Sequence, residues 1–259
     1  MSSQVCKIVI PSHKRANRVH TANLLNNPII CVAESQKEEY QRYNPDAEIV
    51  CHPDSVIGLI PKRNWMVEHF GDIFMLDDDI SSVYLNYREP DDILGATTKD
   101  KNFIEGIIYN LYDIAKMMGV NVFGFPNLTS PLHYKEFEPL SLSKNITGCS
   151  YGMIKNDYLR WNENMKLKED MWISCLAKYY DRRVLVDNRY TFAQKNTMIN
   201  SGGLASMRNQ ESEDESILIL KKHFGSAVSL KGKGFTMING KAVEKKEKII
   251  HNVTVSFKF

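Results

Sequence analysis

Apolar positions fall along this chain in two rhythms. Lys7–Pro11 (KIVIP), Ile29–Ala33 (IICVA) and Glu48–Cys51 (EIVC) are short β-branched runs between polar or turn residues, the pattern of strands buried on both faces. Between them, Arg18–Leu25 can close a short helix and Ser35–Tyr43 is a polar, helix-prone connector, so the chain opens as a βαβ alternation with parallel strands. Leu59–Phe70 predicts a helix entered near Pro61, since proline suits a first helical turn, with Trp65, Met66 and His69 facing inward. Asp72–Leu76 (DIFML) follows as a fourth strand and runs directly into three aspartates.

Asn102–Met118 carries Phe103, Ile107, Leu111, Ile114 and Met118 along one stripe, the strongest helical signal in the chain. Val120–Phe125 returns as a strand, and Pro126–Ser143, rich in proline, serine and aromatics without a period, predicts a long functional loop. Further on, Ile146–Ile154 alternates like a strand, Met171–Tyr180 is an amphipathic helix behind Lys168, Glu169 and Asp170, and Arg183–Asp187 is another strand. The remainder predicts a Gly-Ser-Asn loop over Gln194–Gly203, a helix over Glu215–His223, a hairpin turn at Asn239-Gly240 and a terminal strand over Thr254–Phe259. There is no internal repeat and no linker that divides the chain.

At 259 residues and 43% hydrophobic content, the chain can bury a large core. Lys and Arg total 33 against 31 for Asp and Glu, so the formal charge of +2 gives no bulk electrostatic case for a nucleic-acid partner. Five cysteines (Cys6, Cys31, Cys51, Cys149, Cys175) without CxxC spacing read as reduced, buried thiols, which disfavours a zinc site and points to the cytoplasm. The opening MSSQVCKIVIPSHKR holds too short an apolar run for a signal peptide. No stretch reaches the roughly 20 apolar residues of a membrane span, so no membrane partner is expected.

Chemistry concentrates at FMLDDDI. Three successive carboxylates after a buried strand repel one another unless they face water or a cation offsets them. Alternation puts Asp77 and Asp79 on one side, where both can reach a hard divalent ion that also accepts diphosphate oxygens. Open α/β sheets bind ligands beyond such strand ends. An acidic cap is the structural alternative. Downstream, Glu169 and Asp170 begin a helix, where the dipole alone accounts for acids. The Gly-containing strand in front (Thr147 to Gly152) lets a ligand approach the backbone, and a carboxylate there can serve as general base. Pro11-Ser12-His13-Lys14-Arg15 can bind a base or phosphate, or be a solvated basic turn. Lys62-Arg63-Asn64 can clamp a diphosphate or hydrate a surface. His223 and His251 are candidates for a late metal ligand, Ser201-Gly202-Gly203 for a lid, and the basic Lys231–Lys248 tail for polymer phosphates. A plain turn and a solvated edge are the more frequent explanations of the last two.

In this order, a strand ending in PSHKR, a helix with KRN, a strand ending in DDD, a Gly-rich strand and an ED helix resemble the GT-A nucleotide-sugar glycosyltransferases over Lys7–Tyr180. KIVIPSHKRANRV with PKRNWMVEHFGDIFMLDDDI is similar to the TET-associated glycosyltransferases of bacteriophages. The resemblance implies an α/β, Rossmann-like single domain with a mixed, mainly parallel sheet flanked by helices. Residues 1–100 would bind the nucleotide-sugar and 101–259 the acceptor, a hydroxymethylated pyrimidine in double-stranded phage DNA. It also implies Mn2+ or Mg2+ on Asp77 and Asp79, with His223 a further candidate ligand. The donor would lie against Pro11, Ser12, Lys14, Arg15, Lys62, Arg63, Asp77 and Asp78, and Asp170 would be the catalytic base with Glu169 competing for that role. A saccharide or surface-polymer acceptor, or nucleotidyl transfer, are the alternatives. A non-catalytic DNA-binding module is disfavoured by the near-neutral charge.

Overall fold

The computed structural model describes residues 5–87, 96–126, 134–194, 209–230, 235–238, 241–244 and 253–255. In chain order these form β1 (Lys7–Pro11), β2 (Ile29–Ala33), α1 (Lys37–Tyr43), β3 (Glu48–His52), α2 (Leu59–Phe70), β4 (Ile73–Leu76), β5 (Ile80–Leu85) and β6 (Thr97–Thr98). Then come α3 (Lys101–Met118), β7 (Val122–Gly124), β8 (Leu140–Ser141), β9 (Ser150–Met153), α4 (Glu169–Asp181), β10 (Leu185–Asp187) and β11 (Tyr190–Gln194). The rest are α5 (Gln210–Phe224), β12 (Val228–Leu230), β13 (Phe235–Ile238), β14 (Lys241–Glu244) and β15 (Val253–Val255).

The main sheet has the order β3-β2-β1-β4-β9-β7-β10-β8. β3, β2, β1 and β4 pair in parallel, as do β7 and β10, while β9 and β8 run against their neighbours. The sheet is therefore mixed and mainly parallel, as expected. Alternation along each strand sorts the core into two layers. Ile8, Ile10, Phe74, Leu76 and Phe123 face one side with Ile104, Ile108 and Leu111 of α3. Val9, Ile73, Met75, Val122 and Tyr151 face the other with Met66 and Val67 of α2 and Trp172, Ile173 and Ala177 of α4. Burying such side chains is worth about 1.5–3 kcal/mol each, which is why strands with no polar face settle at the centre of this sandwich. α3 is closed at both ends: the Asp100 carboxylate accepts from the Phe103 amide at 3.0 Å, and Gly119 turns the chain at φ 62°.

Several expectations change. The short helix at Arg18–Leu25 is two 3-10 turns, Ala16–Arg18 and His20–Leu24. The helix foreseen at Glu215–His223 begins at Gln210, because Asn209 accepts from the Ser212 amide and caps it. The long loop contains β8. α2 turns a partly different face inward: the expected Met66 is buried together with Ile60, Lys62, Arg63 and Val67, whereas His69 is exposed and stacks on Trp65. Two charged side chains take the inward stripe, which hides its period from a reading of apolar residues alone. β5, β6 and β11, which the hydrophobic pattern did not reveal, form a small second sheet of order β11-β5-β6. β13 and β14 pair antiparallel up to Ile238↔Lys241, and Asn239-Gly240 between them lie outside the described residues. So do Ser201-Gly202-Gly203, His251 and the stretch after Val255. Among the described residues, no helix is long and apolar enough to cross a membrane.

At the sheet centre, Gly152 of β9 lies against the Phe123 ring, and a Cβ there would stand 2.8 Å from the Ile73 carbonyl oxygen. Gly152→Ala should therefore destabilise the fold by about 1–3 kcal/mol through overpacking. Urea denaturation would show this as a lower midpoint with an unchanged slope.

Candidate functional site

The site stands where β1 and β4 end. β4 delivers Asp77 to Asp79, whose turn is stapled by the buried Thr21: its hydroxyl donates to the Asp77 carbonyl at 2.5 Å and accepts from the Ile80 amide at 3.0 Å. The Asp77 amide donates to Cys149 O at 3.0 Å, tying the turn to the segment entering β9.

Asp78 faces the loop after β1. Ser12 donates to its Oδ2 at 2.5 Å and Arg15 Nη1 to its Oδ1 at 2.9 Å. Tyr40 accepts from the Arg15 amide at 3.0 Å and stands 2.8 Å from Ser12 Oγ. Since the Ser12 proton goes to a carboxylate, the phenol is the donor to Ser12, giving a relay Tyr40→Ser12→Asp78. Lys62 Nζ donates to Ser12 O at 2.7 Å, and Gln36 accepts from the Lys14 amide at 2.8 Å while its Nε2 stands 2.9 Å from His13 Nδ1. Lys14 is held at φ 54°, a left-handed conformation that a non-glycine residue adopts only under constraint. The loop is thus fixed before any ligand arrives.

Asp77 and Asp79 face another way. Gln194, the last residue of β11, donates from Nε2 to Asp77 Oδ2 at 3.1 Å and to Asp79 Oδ1 at 3.0 Å. Desolvation in the cleft raises the Asp77 carboxyl to about 7, helped by Asp79, Asp78 and Glu169 and opposed by Arg63. About a third of that side chain (32%) remains accessible. Asp79 is also raised, mainly by burial.

Behind them lies Arg63, wholly buried. Its Nη1 is 3.4 Å from Glu169 and hydrogen-bonds the Tyr151 hydroxyl; its Nη2 is 3.6 Å from Asp77 and donates to Gly148 O at 3.0 Å. Burial opposes its charge, but Tyr151, Glu169, Asp77 and Asp170 more than offset this, so it stays a cation. Lys62 and Arg63 therefore brace the cleft from within rather than standing at its surface. Glu169 is buried and paired, while Asp170 is half-buried and accepts the Met171 amide at 2.8 Å. Burial and then Glu169 raise Asp170 to about 6, against the pull of its backbone hydrogen bond, Arg63 and Lys168. Gly148 leaves open the space over both carboxylates: a Cβ there would lie 3.5 Å from Glu169 Oε1 and 3.8 Å from Asp170 Oδ2. Lys168, at φ 63°, starts α4 and pairs with Glu213 of α5 at 2.7 Å.

The sequence profile that describes the TET-associated glycosyltransferases matches residues 6–203, a span that holds every element of this cleft. The chain belongs to that family. As a TET-associated glycosyltransferase it has no match among curated protein sequences. Among solved structures, S. aureus TarS 1-349 is 10% identical over 86% of this chain and 72% of that one, with a TM-score of 0.46. TarS 1-349 in complex with UDP is 10% identical over 85% and 72%, with a TM-score of 0.41. The inositol-1-phosphate CTP transferase from T. maritima is 10% identical over 78% and 94%, with a TM-score of 0.35.

In this glycosyltransferase Ser12 and Arg15 hold Asp78, with Pro11 at the end of β1 and Lys14 in the same loop, and Asp77, Asp79, Glu169 and Asp170 gather around Arg63 and Gln194. Among the described residues no three His, Cys, Asp or Glu side chains assemble as a metal cage. His223 sits on α5 with Nδ1 2.9 Å from Ile219 O and its ring edge-on to Trp172; no hydrogen bond or ion pair among the described residues joins it to the aspartates. Thr21, Gln36, Tyr40, Tyr151 and Gln194 were not foreseen. Tyr40 alone had a sequence signal, as the single inward aromatic of a polar helix. A cavity of about 200 Å3 lined by Cys6, Leu25, Asn27, Glu48 and Tyr109 opens at the amino ends of β1 to β3, away from this chemistry.

Carboxyls raised in the folded chain bind protons that the unfolded chain has lost, so stability falls as pH rises through the window between their ordinary values and about 7. The melting temperature of metal-free protein should accordingly rise as pH is lowered from about 7.5 toward 5. Asp77→Asn should melt higher than wild type at the upper end and gain less on acidification.

Proposed function

We propose that the chain transfers a sugar from a nucleotide-sugar donor to a hydroxyl acceptor with help from Mn2+ or Mg2+. The single observation that supports this best is Arg63, which binds Asp77 and Glu169 at once and so puts two acidic pairs from distant parts of the sequence into one cleft. Asp77 and Asp79 suit a hard cation: both are carboxylates, both face Gln194, and each is held above its ordinary pKa, mainly by burial. A cation held there supplies positive charge to the donor diphosphate. Pro11, Ser12, Lys14, Arg15 and Asp78 form the nucleotide wall, in keeping with a donor half over residues 1–100 and an acceptor half over 101–259.

Of the two candidate bases, Asp170 fits better. Glu169 is committed to Arg63, whereas Asp170 remains accessible with its pKa lifted toward neutrality. It takes the proton of the acceptor hydroxyl. That oxygen bonds to the anomeric carbon while the bond from this carbon to the diphosphate oxygen breaks, and the electron pair leaves with the nucleoside diphosphate. Family membership favours a hydroxymethylated pyrimidine in phage DNA as the acceptor, with the reaction in the host cytoplasm.

Incubation of nucleotide-sugars with hydroxymethylated DNA or with oligosaccharide, followed by mass spectrometry, tests the acceptor. Release of pyrophosphate in place of nucleoside diphosphate would point instead to nucleotidyl transfer. Asp79→Ala should abolish turnover, and full activity in that variant sinks the cation assignment. Asp170→Asn should cost about 10²–10⁴-fold in kcat. Wild-type kcat/KM should fall below pH about 6 as Asp170 gains its proton, and the Asn variant should lose this limb.

A further inference from the structure

Gln194 is the residue that touches both carboxylates facing the cleft, and nothing in the local sequence prepared for it. β5 leaves Asp79 without a break, and β11 runs back along it, pairing Phe192↔Val83 and Ala193↔Ser82. There the register slips, so that Gln194 stands opposite Ile80 instead of Ser81. Such a bulge re-aims a side chain, and here it brings the amide to the aspartate turn. Each N–H of one Nε2 goes to a different carboxylate, at 3.1 Å to Asp77 and 3.0 Å to Asp79. The positive edge of the amide thus sits where two crowded carboxylates most need positive charge.

An amide is two-sided. A half-turn about its last torsion replaces the donor nitrogen by the acceptor oxygen Oε1, and amide carbonyls are good ligands for hard divalent ions. We propose that Gln194 is the third protein ligand of the divalent cation, its amide bridging the two carboxylates while no ion is present and turning Oε1 inward when one binds. This rests on the cation reading of Asp77 and Asp79 given above. It accords with there being, among the described residues, no group of three His, Cys, Asp or Glu side chains placed to hold an ion. An amide bridge relieves the pair without adding charge, whereas a third carboxylate would add repulsion to groups already pushed up.

The test is calorimetric titration of the full chain with Mn2+, alone and with each common nucleoside diphosphate, on wild type, Gln194→Ala and Gln194→Glu. The Ala variant should bind Mn2+ at least ~10-fold more weakly, the loss that removal of even an outer partner produces. The Glu variant should bind at least as tightly as wild type. Melting curves give a second readout that does not depend on activity: the rise in Tm on adding Mn2+ should be ordered Glu, then wild type, then Ala. Should the Ala variant bind Mn2+ as tightly as wild type or more so, Gln194 merely competes with the ion and the proposal fails while the cation reading stands. Absence of Mn2+ binding by wild type under every condition removes both. Circular dichroism of each variant without metal checks that its fold is intact, and the Glu variant decides the question if the Ala variant does not fold.

Discussion

A guanidinium without solvent must be surrounded by groups that want its charge, and the architecture of this cleft follows from meeting that demand at Arg63. Its partners come from four places: Asp77 from the end of β4, Gly148 and Tyr151 from the approach to β9 and from β9 itself, and Glu169 from the start of α4. Together they offset a charge that burial opposes. The central strands and the ED helix are thereby locked to α2, and the cleft between them is shaped before a ligand enters it.

The two sides of the DDD turn then divide the work. Asp78 is spent on the protein, anchoring Ser12 and Arg15 so that the loop after β1 is rigid. Asp77 and Asp79 share the Gln194 amide, with Arg63 behind Asp77. One tripeptide thus both fastens a wall and presents a binding pair, because the turn after β4 sends Asp78 to the loop after β1 and leaves Asp77 and Asp79 toward Gln194.

Much of this was legible in the sequence because the signals were local. The four parallel strands announced themselves as β-branched runs, and the DDD and ED motifs lie at element ends, where alternation and helix-start rules apply. Lys62 and Arg63 were seen but read as surface clamps, since a cation on a helix is ordinarily solvated and only its distant partners reveal that it points inward. β5 and β11 were missed altogether. Their pairing joins Ile80–Leu85 to Tyr190–Gln194 across more than a hundred positions, and a register slip decides where Gln194 points, which no window along the chain can register.

Lys14 and Lys168 hold strained backbone. On either side of the cleft a non-glycine residue is kept in the left-handed region, at φ 54° and 63°, where each gives up roughly 1–2 kcal/mol of backbone comfort. Glycine would relax both and yet widen the range of shapes the two loops can sample. The enzyme therefore sits off its thermodynamic optimum at its working edge, and attempts to make it hardier by easing these two residues would trade away the definition of the cleft.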